Sequence, residues 1–540
     1  MEISNSALRQ LALDEYNSNI TTAHHGLNAG GLFWKGNTPN HNGVKSRPFW
    51  NVYATQFIFN PCFEFTPMPC CTRYLFTATD CNQKVHTFEA DTPMALLTPI
   101  WGDLPEGYVH LKVDALEDDG TPWATVGART FWRGAPFNPG SYPEKARSYR
   151  ECALLAYRYI YHTPAVQHWL THGTPDPTYD LNVYLTKMNS AIIHAMISYA
   201  SLDPENAENA IRLAKNAANY LIDVSVKAPS PLEGLPPTYY TRFRDTTSND
   251  TEQEKTMMML YPASAGSAYL ALAEATGEKK YFDAAMKIAE YYRQNVLENG
   301  TWRLILSIAD GKNLSANDAN PDPIIGFLKT IYTLTGEEIW KELMQNAHRY
   351  RTGNRMDTYN WEGQFEDSPT SAHYSNLAHG PADAMVQYIA ENQKDDPAAL
   401  AQAEELMRFI EDQFVVWGRH APKNRWINRY WLSENREDWA SPSCLEQYNW
   451  YVPIDASTAG IMYTFLKLYQ ANGNPLLLAK ACTLADSITR MQNPETGMIP
   501  THWTRTTCSE DGGDFWINCH ISTANMMLTM AKAVEGSEES

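Results

Sequence analysis

The chain is poor in charge, and poorer in positive charge than in negative. Of its 540 residues 19% are charged, with 43 Lys and Arg against 62 Asp and Glu, for a net charge of -19. No run of basic residues interrupts this excess. Such a surface repels a polyanion, which removes nucleic acid from the expected partners. No apolar stretch reaches the length of a bilayer span, so no membrane-spanning segment is expected. Cysteine is sparse, with nine: Cys62, Cys70, Cys71, Cys81, Cys152, Cys444, Cys482, Cys508 and Cys519. The number is odd and the spacings fit no zinc pattern. The four between Cys62 and Cys81 leave a local disulfide and buried thiols as equal alternatives. Glycine-rich dinucleotide turns, phosphate loops, zinc-protease helices and the G-x-S-x-G serine motif are all missing. No cofactor is therefore expected, and a calcium ion held by loop acids is the one metal left open. The opening Met1-Glu2-Ile3-Ser4 lacks the basic and apolar regions of a secretory signal. A cytoplasmic chain and a mature exported chain restarted at methionine both fit it.

What the sequence does have is a rhythm of loop lengths. From Ser148 onward the apolar spacing predicts twelve helices, near 148–162, 187–200, 206–223, 262–275, 280–296, 322–334, 337–351, 379–392, 398–413, 456–471, 475–492 and 519–534. The connectors after the even-numbered helices are a few residues each, whereas those after the odd-numbered ones run to two dozen residues or more. Long structureless connections are uncommon and usually functional. Antiparallel helical hairpins put alternate connectors at opposite ends, so the long loops are expected to share one face. Two helix openings repeat each other, Tyr261–Leu272 and Ile454–Tyr463. Each is rich in small residues and followed by a short turn and a more charged helix. Six such pairs suit a closed helical array with an inner and an outer ring.

Residues 1–140 read differently. Alternating β-branched and aromatic runs at 51–59 and 108–113, punctuated by Asn60-Pro61 and Asp119-Gly120, predict strands. The stretch from Trp101 to Gly120 resembles late strands of a fibronectin-type sandwich. The expected organisation is a β-sandwich domain at 1–140 and a helical toroid carrying the active site at 141–540.

Ten of the sixteen tryptophans fall in the long loops: Trp169, Trp302, Trp361, Trp417, Trp426, Trp431, Trp439, Trp450, Trp503 and Trp516. They either pack beneath the loops or form stacking walls for a ligand with flat apolar faces, as sugars have. Two loop motifs gather acids among aromatics. One is Trp361-Glu362-Gly363-Gln364-Phe365-Glu366-Asp367, followed by His373-Tyr374. The other is Glu446-Gln447-Tyr448-Asn449-Trp450, leading to Asp455, which is as readily a helix N-cap. Glycoside hydrolysis needs two carboxyls across the bond, and burial beside aromatics favours a protonated acid. Glu366 or Asp367 is the expected acid and Glu446 the base or nucleophile. Expected sugar contacts are Trp361, Glu362, Tyr239, Arg242, Arg244, His373, Tyr374, Arg425, Gln447, Tyr448, Trp450, Trp503 and Trp516. The arginines interleave with aromatics and suit an acidic sugar, or simply brace the loops. His502 and His520 are secondary candidates for proton transfer.

The paired helix openings, the Trp361–Asp367 motif and Glu446-Gln447-Tyr448 together resemble the six-hairpin glycosidase superfamily over residues 141–540. That resemblance implies a mainly α fold, an (α/α)6 toroid of twelve helices, and a poly- or oligosaccharide substrate. A β-glucuronidase-like hydrolase releasing uronic acid is the narrower expectation. A polysaccharide lyase or sugar epimerase using Tyr448, Tyr374, His373 and Arg425 is the alternative, and a non-catalytic glycan-binding protein the third.

Overall fold

The structure is a computed structural model that describes residues 5–16, 56–63, 65–240, 252–352, 361, 363–366, 379–419, 440–447, 450–503 and 515–536. All twelve expected helices are present. They are α3 (Tyr149–His162), α5 (Leu185–Leu202), α6 (Ala207–Val224), α7 (Tyr261–Thr276), α8 (Lys279–Gln294), α9 (Asp322–Thr335), α10 (Glu338–Arg351), α11 (Gly380–Asn392), α12 (Pro397–Phe414), α13 (Asp455–Asn472), α14 (Pro475–Met491) and α15 (Ile517–Val534). Among the described residues three further α-helices fall outside the expected set: α1 (Asn5–Tyr16), α2 (Thr98–Trp101) and α4 (Pro164–His172).

The helices sort into two rings for reasons legible in their side chains. In α6 the buried residues are Ala210, Leu213, Ala214, Ala217, Ala218 and Leu221, a single stripe at three- and four-residue spacing. One face turns inward and the other meets water, as an outer helix requires. In α7 burial runs almost around the axis, through Pro262, Ala263, Ala265, Gly266, Ala268, Tyr269, Leu270 and Leu272. Gly266 is bare because a Cβ there would collide with the Phe327 ring of α9. Inner helices pack α5 on α7, α7 on α9, α11 on α13 and α13 on α15, and α15 returns to α5 to close the ring. Lys329 of α9 and Lys467 of α13 both reach Glu391 of α11, at 2.7 and 3.0 Å, across the far end of the ring. Each inner helix turns tightly into its outer partner. Gly473 ends α13 at φ +72°, a left-handed position that accommodates glycine without strain.

The N-terminal strands are β1 (Gln56–Phe57), β2 (Tyr74–Thr79), β3 (Val85–Ala90), β4 (Gly107–Leu116) and β5 (Pro122–Arg133), in the order β1-β5-β4-β2-β3. All pairings are antiparallel except β1 with β5. Along β4, Val109, Leu111, Val113 and Ala115 are fully buried while Tyr108, His110 and Lys112 face out. The expected sandwich is not what covers the buried face. Among the described residues these strands form one sheet. An aromatic cluster of Phe57, Phe63, Trp101 and Phe131 closes it. The sheet also docks on the toroid: buried Asp412 at the end of α12 accepts the backbone N–H of Ile58 at 2.6 Å and of Phe59 at 2.8 Å. One hydrophobic core runs without a break from the sheet into the helices. Three short strands follow α12: β8 (Val415–Val416), β9 (Ser443–Gln447) and β10 (Trp450–Pro453), ordered β10-β9-β8; two others, β6 (Thr256–Met258) and β7 (Ile305–Ser307), pair in front of α7.

Candidate active site

A cavity of about 370 Å³ opens where the inner helices begin. Its lining draws on all six. Lys187 comes from the first turn of α5, Leu260 from the residue before α7, Asp322 from α9, Gly380 from α11, Ser457 from α13 and Asn518 from α15. A side lobe of about 160 Å³ shares Lys187, Phe365, Glu446, Trp516 and Asn518 with it and adds Glu366, Leu181 and Tyr184. The first-turn N–H groups of a helix lack intrahelical partners, and the macrodipole is positive there. Six such ends around one hollow favour an anion or a developing negative charge, against the acidic character of the whole chain.

Glu366 is firmly anchored in the lobe. The loop before it is pinned by Gln364, whose side chain accepts Asn320 N–H at 2.6 Å and donates to Asp318 C=O at 2.8 Å. The Glu366 carboxylate is almost fully buried, pairs with Lys187 Nζ at 2.5 Å and accepts a hydrogen bond from the Tyr261 hydroxyl. The Tyr239 hydroxyl donates to its backbone carbonyl. Burial pushes this carboxyl up, but the Lys187 ammonium, with the Lys187 and Tyr261 hydrogen bonds, outweighs burial and holds it below the usual range. Glu366 is therefore ionised at neutral pH. This differs from the protonated acid expected from aromatic burial alone, because a lysine 179 residues away along the chain could not be foreseen beside it.

Glu446 arrives from the other acid motif, half-buried on β9, and faces both the main cavity and the lobe. One acid from each motif, Glu366 and Glu446, thus lines the same lobe. Trp516 lines the same space, with its ring edge-on to His502 at 5.2 Å.

The other expected contacts fare differently. Trp361, Trp503, Trp302, Trp169 and Trp417 are all buried, and three of their indoles donate to internal acceptors: Trp503 to Pro500 C=O, Trp302 to Tyr292 C=O and Trp417 to Glu411. They hold the loops from beneath instead of facing a sugar. Tyr239 is likewise buried and braces the Glu366 segment. Asp367, Glu362, Arg242, Arg244, His373, Tyr374, Arg425 and Tyr448 lie outside the described residues, as do Trp426, Trp431 and Trp439. Gln447 and Trp450 are placed as a β9–β10 backbone pair, and their side chains lie outside the description. His520 is buried and His502 half-buried, and desolvation lowers them to about 3 and about 4, so both are neutral. His520 Nε2 accepts Ile499 N–H at 3.2 Å, a structural task.

Sequence reasoning missed Lys187, Tyr261 and a third cluster on the same cavity. His379, immediately before α11, places Nδ1 2.5 Å from Asp383 Oδ2 and Nε2 2.8 Å from Ser457 Oγ. The signal was present in part: a His at a helix entrance with an acid four residues on shares a face with it. Nothing in the order of residues shows Ser457 to be its neighbour.

Asp455 is not the N-cap. It is the first residue of α13, fully buried, and its Oδ2 accepts Thr523 of α15 at 3.0 Å. Burial pushes it up to about 8 from 3.8. The folded state therefore holds a proton that the unfolded chain releases, so stability is full below pH 3.8 and is lost as pH rises toward 8. Asp455→Asn is expected to remove that slope, at most about 1.4 kcal/mol per pH unit. Denaturant unfolding at several pH values between 5 and 8 measures it, and parallel slopes in the two proteins would contradict a neutral Asp455.

Twelve of the described helices, paired as inner and outer members with the site at the entrance of the inner ring, form an (α/α)6 toroid, a fold that solved structures share. The chain resembles a solved D-mannose isomerase at TM-score 0.52 and 12% identity, over 73% of this chain and 100% of that one. It resembles cellobiose 2-epimerase from Spirochaeta thermophila at TM-score 0.50 and 13% identity, over 72% and 98%. A family 76 glycoside hydrolase from a bovine Bacteroides thetaiotaomicron strain aligns at TM-score 0.45 and 12% identity, over 85% and 93%. No protein-family profile matches the chain, and no curated protein matches it in sequence. At these identities the likeness shows the fold and leaves the reaction to the residues.

Proposed function

We propose that this chain is an enzyme that hydrolyses a glycosidic bond of a poly- or oligosaccharide bound at the entrance of the inner ring. The observation that carries this reading is that Glu366 and Glu446, eighty residues apart, line one lobe beneath Trp516. The charge state of Glu366 sets the roles. Already ionised, it serves as base or nucleophile at the sugar carbon, and Glu446 protonates the departing oxygen. The convergence of helix N-termini supports a sugar carrying a carboxylate, such as a uronic acid. Digestion of a glycan library with product analysis tests the reading. New reducing ends support it, and intact glycans across neutral and acidic sets oppose it.

Lys187 supplies a more specific test. With Lys187→Met the ammonium is gone and burial becomes the leading influence on Glu366, whose pKa rises. A base must be ionised to act, so the acidic limb of the kcat/KM profile is expected to move to higher pH by a unit or more, with turnover recovering on the alkaline side. An acidic limb that stays in place would show that another group is the base.

The second reading is epimerisation or isomerisation of a sugar, and His379 favours it. Its hydrogen bond to Asp383 orients a ring nitrogen toward the same cavity, as a proton-transfer base requires. Turnover in deuterated water distinguishes the two: epimerisation exchanges a carbon-bound hydrogen and leaves chain length unchanged, whereas hydrolysis shortens the chain.

A further inference from the structure

The cluster of Ser457, His379 and Asp383 has the connectivity of a hydrolytic acyl-transfer centre. With Asp383 Oδ2 as the acceptor of the 2.5 Å contact, the imidazole proton sits on Nδ1. Nε2 is then the free acceptor, and the Ser457 hydroxyl, 2.8 Å away, donates to it. Both Ser457 and His379 line the main cavity. Asp383 is buried behind the ring, one turn into α11, where its own N–H donates to His379 C=O at 2.9 Å and fixes the dyad's register. The bare backbone of Gly460 lies against the dyad and leaves room for it. Strand β10 feeds directly into α13, so Ser457 sits in a first helical turn whose N–H groups lack intrahelical partners. The Asp455 N–H of that turn is taken by Thr501 C=O at 3.1 Å and the Ala456 N–H by the Asp455 carboxyl, so what the turn offers an oxyanion is chiefly the positive end of the α13 macrodipole.

We propose that Ser457, His379 and Asp383 remove ester groups from an O-acylated sugar. Ser457 Oγ attacks the ester carbonyl carbon and its proton passes to His379 Nε2. The bond from that carbon to the sugar oxygen breaks, and His379 returns the proton to the departing oxygen. Water then attacks the acyl-serine, giving its proton to His379. The bond to Oγ breaks, a carboxylic acid leaves, and Ser457 regains its proton. The net reaction is ester plus water to alcohol plus acid, without redox change. Hydrolysis of an ester rests on the cluster alone. The choice of a sugar ester rests on the function proposed above.

The test combines a small alkyl fluorophosphonate, located by tandem mass spectrometry, with acetate release from O-acetylated oligosaccharides. The expected result is one phosphonyl adduct on Ser457. Acetate release is expected to fall by about 10²–10⁴-fold in Ser457→Ala and in Asp383→Asn. The Asp383 variant covers the case in which Ser457→Ala fails to fold. Absence of an adduct on Ser457, or acetate release unchanged in a folded Ser457→Ala, overturns the proposal. Glycosidic cleavage without labelling removes the acyl centre and keeps the hydrolase. Labelling of Ser457 with ester cleavage but no glycosidic cleavage supports the centre and removes the hydrolase.

Discussion

Glu366→Gln is expected to lower turnover on a cleaved glycan by about 10²–10⁴-fold while the protein remains folded. Glutamine keeps the volume, and its amide oxygen still accepts from Tyr261 or Lys187, so the pinned loop has little reason to move. What is lost is the negative charge that attacks or activates water. Glu446→Gln is expected to cost a similar factor, because a protonated carboxyl and a carboxylate act on the two sides of one bond. The double variant is expected to lose little more than either single one, since groups acting as a unit are not additive. Turnover with purified oligosaccharide, alongside circular dichroism to confirm folding, measures all three. Near-wild-type rates in both folded single variants would remove the carboxylate pair from the mechanism.

Lys480→Met is expected to be the most damaging substitution away from the site. Lys480 is fully buried on α14, with Glu411 Oε2 at 2.6 Å and Glu15 Oε2 at 2.5 Å. Burial opposes its charge, but the two facing carboxylates keep it ionised. Glu411 is buried too, and burial pushes it up to about 7. Removing one partner from a buried ion pair costs roughly 3–5 kcal/mol because a charge is left without compensation. The lower end applies here, because Glu411 can take up a proton. Glu15 is on α1, so the same change is expected to release that helix. Denaturant unfolding at pH 7 and proteolysis within residues 5–16 read the two effects. Adding Glu411→Leu to Lys480→Met is expected to recover part of the stability, since the fully buried carboxylate is removed and only the partly exposed Glu15 is left without its partner. A single variant as stable as the parent would show that the pair contributes nothing.

The helical part of the fold was open to sequence reasoning because its information is local. Stripes such as Ala210 to Leu221 declare which face of a helix is buried, and Gly277, Gly336 and Gly473 mark where inner helices stop. The N-terminal region was less open. Alternation along Val109–Ala115 shows that one face of β4 is buried, but not by what. A second sheet and the end of α12 satisfy the same pattern, and Asp412 capping two strand N–H groups is a long-range fact. Helix α1 was missed because its sequence carries only a weak apolar stripe, and its dock depends on Glu15 meeting Lys480.

The site divides in the same way. The two acid motifs were visible as acids set among aromatics, and their convergence followed from the alternation of connectors. The tryptophans misled because an indole's apolar area is the same whether it faces a sugar or the underside of a loop. Only packing shows that Trp361 and Trp503 face inward and Trp516 does not.

By itself the sequence determined the twelve helices of the toroid, their pairing and the end of the ring at which long loops gather, because helical period, caps and connector length are set by neighbours along the chain. The tertiary structure alone decided that Lys187 ionises Glu366, that Ser457 meets His379, and that Asp455 keeps its proton. Those outcomes depend on charge, distance and desolvation between residues far apart in order, and no local pattern encodes them.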